Sequence, residues 1–330
     1  MFMKVFILTD LEGSSGVNGR PDSPVGNTML NRPTAELALV NELNAVCDGL
    51  VAAGADEIVI IDGHGGSNSI DIMKLHPKAS LMQVGNWMPV IYLDGTYDAF
   101  IQIGAHSMEN TDGYMCHTFN SHAIQEMRLN GDLIGEIGIS SYLAAYFGVP
   151  TIMVSGDDTA CREAQALLGN DLEVVPTKSS INRYSTVNYP PQQVYANLRA
   201  AAERALRNVK KYKPLAMPEH CELVTRFMCP NQANAGEKIG LERLDEFTIK
   251  AVSDDFADLW AQRLGWAPGV HKKEIQSHTG VETPAHAGKN GISGVIEKLY
   301  SDICLQKTFC RTFSPQAACG RSVRPQAASV

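Results

Sequence analysis

The chain opens on a nearly unbroken apolar run, Lys4-Val5-Phe6-Ile7-Leu8-Thr9, that ends abruptly at Asp10-Leu11-Glu12-Gly13. Such a run without polar alternation predicts a strand buried on both faces, as in a parallel sheet. Thr34–Ala53 repeats apolar residues at helical spacing (Leu37, Leu39, Val40, Leu43, Val46, Leu50, Val51), with Thr34 as the expected N-cap and Gly54 as the stop. Glu57–Ile61 predicts a second buried strand, leading into Asp62-Gly63-His64-Gly65-Gly66. Ser80–Val84 and Phe100–Ile103 read as shorter strands, Ile134–Phe147 as a helix stopped by Gly148 and Pro150, Thr151–Ser155 as a strand and Thr159–Leu168 as a helix. Strand–helix alternation of this kind predicts an α/β fold, a mostly parallel sheet flanked by helices. Sites in such sheets lie beyond the carboxyl ends of the strands, where Asp10, His64 and His106 fall.

A long helix is expected over Gln192–Val209, after which Lys213-Pro214 and Met217-Pro218 punctuate the chain. Strand-like Glu222–Met228 and Phe247–Val252, then helix-like Asp254–Leu264, predict a second, smaller α+β domain. The expected organisation is 1–212, a metal-binding catalytic domain; 213–286, the smaller domain and a subunit interface; and 287–330, a weakly structured tail with one short helix at Ser293–Leu299.

Composition narrows the class. No run approaches the ~18 uninterrupted apolar residues of a membrane span, and the N-terminus lacks the pattern of a secretory signal. Eight cysteines without a C-x-x-C pair point to reduced thiols and a cytoplasmic setting. The net charge of −8 argues against nucleic acid as a partner. That charge is uneven: residues 1–150 hold 17 acids against 6 Lys and Arg, and no Lys or Arg lies between Lys78 and Arg128. An acidic half with histidines at loop positions suits divalent cations.

The candidate chemistry is concentrated there. Asp10 and Glu12, two apart on an extended segment, point to the same face, and like charges held together need a cation or a shared proton. With His64, His106 and Glu136 they form a carboxylate–imidazole set that suits Zn²⁺, Mn²⁺ or Co²⁺ better than Ca²⁺ or Mg²⁺. Five ligands exceed the three protein ligands usual for one catalytic zinc, and two metals sharing Asp10 would account for them. His117 is a candidate proton shuttle, general base or nucleophile. Each residue also has an ordinary reading: Asp10 as a cap, Glu136 as a favourable charge at a helix start, and His76, His220, His271, His278 and His286 as solvated side chains. Cys116 lacks a neighbour in sequence that would lower its pKa.

Two rival readings stand beside the metal centre. Asp10-Leu11-Glu12-Gly13-Ser14 resembles the nucleophile motif of haloacid-dehalogenase-type Mg²⁺-dependent phosphatases, with Asp10 as nucleophile, Glu12 as acid/base, Asp157 and Asp158 as metal-binding acids and Lys178 on the phosphate. That reading leaves His64, His106 and His117 idle. The other is a non-catalytic metal-binding assembly protein.

Taken in order and spacing, Thr9–Gly16, Asp62-Gly63-His64, Gly104-Ala105-His106, Met115-Cys116-His117-Thr118, Asn130–Gly138 and Gly148–Asp158 resemble the M55 metallopeptidases, the D-aminopeptidases. The likeness spans about residues 3–170 and weakens towards 270. The resemblance implies a two-zinc aminopeptidase acting on short peptides or amino amides with an N-terminal D-residue such as D-Ala. On the matching positions it implies Asp10, Glu12, His64, His106 and Glu136 as metal ligands and His117 as the catalytic histidine. It also implies a ring-shaped homo-oligomer, expected to be decameric, with the smaller domain at an interface. Leu11, Ser14 and Gly63 depart from the residues usual in that family. D-stereospecificity itself is not readable from these residues.

Overall fold

The computed structural model describes residues 2–20, 28, 29, 31–65, 68–83, 93–265, 268 and 269. The elements run β1 (Lys4–Thr9), β2 (Gly19–Arg20), β3 (Thr28–Met29), α1 (Arg32–Ala52), β4 (Glu57–Asp62), β5 (Ala79–Met82) and β6 (Ala99–Ala105). They continue with β7 (Ile124–Leu129), β8 (Asp132–Leu133), α2 (Glu136–Tyr146), β9 (Thr151–Asp157), α3 (Asp158–Leu168), β10 (Glu173–Asn182) and β11 (Ser185–Asn188). The last are α4 (Pro191–Arg207), β12 (Cys221–Phe227), α5 (Pro230–Lys238), β13 (Glu242–Arg243), β14 (Thr248–Ser253) and α6 (Phe256–Arg263).

Seven strands form one sheet in the order β11-β10-β9-β6-β1-β4-β5, parallel except for the β10–β11 hairpin. The expected α/β architecture is therefore present. From β1 the chain adds β4 and β5 on one side, then returns to place β6 on the other, so the topological switch point lies between β1 and β6. Ligand sites of open α/β sheets open at this crevice, beyond the strand carboxyl ends.

Alternate residues of β1 feed two cores. Val5 and Ile7 pack with Leu39, Leu43 and Val46 of α1 and Leu198 and Ala202 of α4. Phe6 and Leu8 pack on the opposite side, with Leu143 of α2, Leu223 of β12 and Leu259 and Trp260 of α6. That side carries an antiparallel sheet, β13-β14-β12-β7-β8. Two of its strands, β7 and β8, come from the chain between β6 and β9, so strands from both sides of residue 212 build it.

Several boundaries shift for local reasons. Helix α1 begins at Arg32 rather than after Thr34, because Pro33 is tolerated in a first turn whose N–H groups have no helical acceptor. Asn31 precedes it, and its side chain instead accepts from Asn18 N and donates to Gly16 O, tying the loop after β1 to the helix start. Helix α2 begins at Glu136, two residues later than the apolar pattern suggests. The expected helix at Ser293–Leu299, the tail and His271, His278 and His286 lie outside the described residues. Among the described residues, no helix is long and apolar enough to cross a membrane.

Candidate active site

Asp10 directly follows β1, His106 directly follows β6, and His64 lies two residues beyond β4. The loop after β1 sits hard against the end of β6. Asp10 N donates to Ile103 O and Gly13 N to Gly104 O, both at 2.8 Å. A Cβ on Gly13 would lie 1.9 Å from Ala105 O, and one on Gly104, whose φ is +77°, would lie 2.2 Å from Asp10 O. Only glycine permits that approach, which is what brings Asp10 and His106 together. On the β4 side, Asp62 Oδ2 accepts from Ser69 N (2.7 Å) and Ile70 N (3.2 Å), pinning the loop that presents His64.

All six predicted residues converge. His64 Nδ1 lies 3.0 Å from both Asp10 Oδ1 and Glu12 Oε2. His106 Nε2 lies 3.2 Å from both Asp10 Oδ2 and Glu136 Oε1. The His117 ring stacks on that of His106, centroids 3.8 Å apart, with its Nε2 3.9 Å from Glu136 Oε1. Among the described residues, two triplets place ligand atoms within 4.8 Å of one another: Asp10, Glu12 and His106, and His106, His117 and Glu136. Glu12, His106 and His117 are buried.

The electrostatics follow from that packing. Burial alone would raise the Asp10 carboxyl, but hydrogen bonds and charge from His106 and His64 hold it well below its usual range. Burial would likewise lower His64 and His106. Glu12 and Asp10 outweigh it at His64, Glu136 and Asp10 at His106, and both imidazoles are held well above their usual range. His117 goes the other way, lowered first by burial and then by the charge of His106, so it stands neutral beside a charged cluster.

The donor set fits a divalent metal. His106 Nδ1 donates to Ser107 O (2.9 Å), so Nε2 is the nitrogen turned inward. That buried Nε2 makes no well-directed hydrogen bond, yet it lies between two carboxylate oxygens. A lone pair facing two anions needs positive charge there, from a proton or a cation. His117 has the same form, with Nδ1 donating to Met115 O (2.8 Å). The backbone is bent to serve it: Met115 (φ 54°) and Phe119 (φ 57°) are both left-handed. The first turns its carbonyl onto His117, and the second donates its N–H to Glu136 Oε1 at 2.6 Å. Strain of this kind at a non-glycine residue is characteristic of functional sites.

Other expectations resolve here. The Cys116 thiol is pushed up by burial and donates to Thr111 O, which does not suit a nucleophile. Asp157 caps α3 by accepting from Thr159 N and Ala160 N, and Asp158 accepts from Ser180 N and pairs with Arg162. Lys178 is fully buried and donates to Glu12 O (2.8 Å). The acids and lysine of the phosphatase reading are thus spent on structure. The role of Lys178 was missed because it depends on a bulge in β10 at Pro176–Lys178, where Thr177 and Lys178 both reach the Glu12–Gly13 carbonyls.

Comparison with known proteins places this fold and donor set among hydrolytic enzymes, the peptidases. The chain belongs to the D-aminopeptidase family, peptidase family M55, whose profile matches residues 3–263. It is 30% identical over 234 residues, 70% of this chain and 84% of the relative, to a D-aminopeptidase of Bacillus subtilis (strain 168). Among solved structures it resembles one described as the Zn-dependent D-aminopeptidase DppA from Bacillus subtilis, a self-compartmentalizing protease. That match has a TM-score of 0.73 at 26% identity and covers 87% of this chain and all of the other.

Proposed function

We propose that this chain is a two-zinc aminopeptidase that removes an N-terminal D-residue such as D-Ala from short peptides and amino amides. The observation that carries the reading is Asp10, whose two oxygens face different donor groups: Oδ1 towards His64 with Glu12, Oδ2 towards His106 with Glu136. Asp10 would bridge, Glu12 and His64 would complete one metal, and His106 and Glu136 the other. Zinc bound there supplies Lewis acidity and lowers the pKa of water towards neutrality.

His117 does the proton work. Its Nδ1–H is spent on Met115 O, which leaves the Nε2 lone pair facing the cluster, and its lowered pKa keeps it neutral. In that state it takes the proton of the attacking water and returns it to the leaving amine. Stacking on His106 fixes the ring plane without engaging Nε2.

The self-compartmentalizing description of the solved relative supports a homo-oligomer, with a decameric ring as the specific proposal and residues 213–286 at an interface. Work in the cytoplasm on small peptides, with neither nucleic acid nor membrane as partner, completes the reading. The test is zinc per chain by elemental analysis, paired with amine release from D-Ala and L-Ala amides before and after chelation. About two zinc ions and chelator-sensitive, D-selective release are expected. Zinc without hydrolysis of any amide would favour a non-catalytic metal-binding protein, and equal rates on both enantiomers would overturn the stereochemical part.

A further inference from the structure

The β10–β11 hairpin is bonded to the segment that carries His117. Met115 N donates to Arg183 O, in the hairpin turn, at 2.9 Å, and Tyr114 N donates to Ser180 Oγ at 2.9 Å. The Arg183 guanidinium pairs with the Glu109 carboxylate, the two side chains being 23% and 11% exposed. Charge-assisted bonds with this little exposure are stronger than pairs in open solvent. Glu109 N in turn donates to Thr118 Oγ1 at 3.2 Å, on the residue after His117. Met115 is thus held at both of its peptide groups. Arg183 takes its N–H, and its own carbonyl takes His117 Nδ1–H at 2.8 Å. A carbonyl only accepts, so this bond fixes which imidazole nitrogen carries the proton and leaves Nε2 its lone pair. Met115 is also left-handed, with φ at 54°. A non-glycine residue keeps that conformation only where its surroundings impose it.

We propose that Arg183 is a positioning residue for His117: anchored by its pair with Glu109, it holds the Met115 peptide and through it sets the tautomer and placement of the His117 ring. The proposal rests on the reading of His117 as the proton carrier. Without the ion pair, the hairpin turn is free to draw its carbonyl away from Met115 N. Met115 then relaxes out of the left-handed region and turns its own carbonyl off His117 Nδ1. The ring is left with both tautomers open to it, and the one protonated at Nε2 has no lone pair there to take a proton from water. His106 has its own anchor, Nδ1 donating to Ser107 O at 2.9 Å, so loosening Met115 leaves the proposed metal ligands where they are. The clamp therefore serves the proton-transfer step and not metal binding.

The test measures kcat, KM and zinc content with D-Ala amide for zinc-loaded wild type, R183A, E109A, the R183A/E109A double variant and R183K, and repeats R183A in an H117A background. R183A and E109A are each expected to lower kcat about tenfold, with KM and zinc content at wild-type levels. The double variant is expected to be no slower than either single one, because the two side chains act as a unit. R183K keeps a cation towards Glu109 and is expected to recover most of the rate. In H117A the clamp has nothing left to position, so adding R183A is expected to change the residual rate by less than about twofold. Wild-type kcat in R183A and E109A overturns the proposal. So does a raised KM at unchanged kcat, which would mean contact with the substrate, or a loss of zinc, which would mean a role in the metal site. A further tenfold fall in the H117A background also overturns it, since the effect then does not pass through His117. Should R183A fail to fold, E109A alone and in H117A carries the same comparison. Wild type that does not hydrolyse the amide overturns the aminopeptidase reading itself, and this inference falls with it.

Discussion

Single side chains in this protein are set by what surrounds them rather than by their own type. His106 and His117 lie ring on ring, yet one is held well above and the other below the usual imidazole range: Asp10 and Glu136 each lie 3.2 Å from His106, while burial and the charge of His106 prevail at His117. Replacing His117 by Ala is expected to lower kcat by about 10²-fold or more while zinc content stays at the wild-type level; near-normal turnover would remove its catalytic role. Glu163 offers a second test at this scale. Burial pushes its carboxyl up to about 7, although Met108 N donates to it at 2.7 Å. Between its ordinary value of 4.5 and about 7 the folded chain keeps a proton that the unfolded chain releases. Folding is therefore favoured by this group at low pH, and that contribution is lost as pH rises through the window, by at most about 1.4 kcal/mol per unit. Glu163→Gln keeps an acceptor for Met108 N and stays neutral in both states. Thermal denaturation across pH 4 to 8 is expected to show a gain over wild type that grows with pH and levels off above about pH 7.

Elements were legible where burial on both faces wrote itself as an unbroken apolar run. Strands β1, β4, β6 and β9 were found for that reason, and with them the positions of Asp10, His64 and His106. Strand β10 was not found, because its inward residues are polar: Thr177, Lys178 and Ser180 satisfy backbone and side-chain groups of neighbouring loops instead of joining an apolar core. Strand β7 was hidden by Gln125, Glu126 and Arg128 among its apolar residues, and α5 by its lack of apolar periodicity, with only Ala233 and Gly236 buried. The candidate site was legible as a set of residue types at strand ends, but its lysine support depends on a bulge that no periodicity announces. Lys178 is lowered to about 8 by burial, partly offset by Glu42, itself fully buried and accepting from Ser15 N at 2.7 Å. Lys178→Met removes the charge that acts on Glu42 and leaves the Glu12 carbonyl without its donor, so a loss of about 1–3 kcal/mol is expected in denaturant titration. Adding Glu42→Gln is expected to recover part of it, a non-additivity that reports the coupling.

At the scale of the whole molecule, the second sheet and the site are joined through the chain itself. Between β6 and β9 the polypeptide leaves the parallel sheet, passes His117, lays down β7 and β8, and returns as α2 with Glu136 at its start. Strand β7 pairs with β12 from Leu129–Leu223 to Ile124–Phe227, so its far edge is covered by residues beyond 220. Ending the chain after Tyr212 would bare that edge and the apolar side of β1, an aggregation-prone surface. Such a truncation is expected to be insoluble, or to keep less than about a tenth of the zinc and activity; a soluble, fully active product would refute the coupling. The splice has a consequence for how this enzyme can diverge. A lineage cannot exchange its second sheet for another module as it would a tail or an appended domain, because the exchange would take away the segment bearing His117 and Glu136. Variation selected in that sheet will be felt at His117 and Glu136, so changes in the sheet and changes in the candidate site are inherited together.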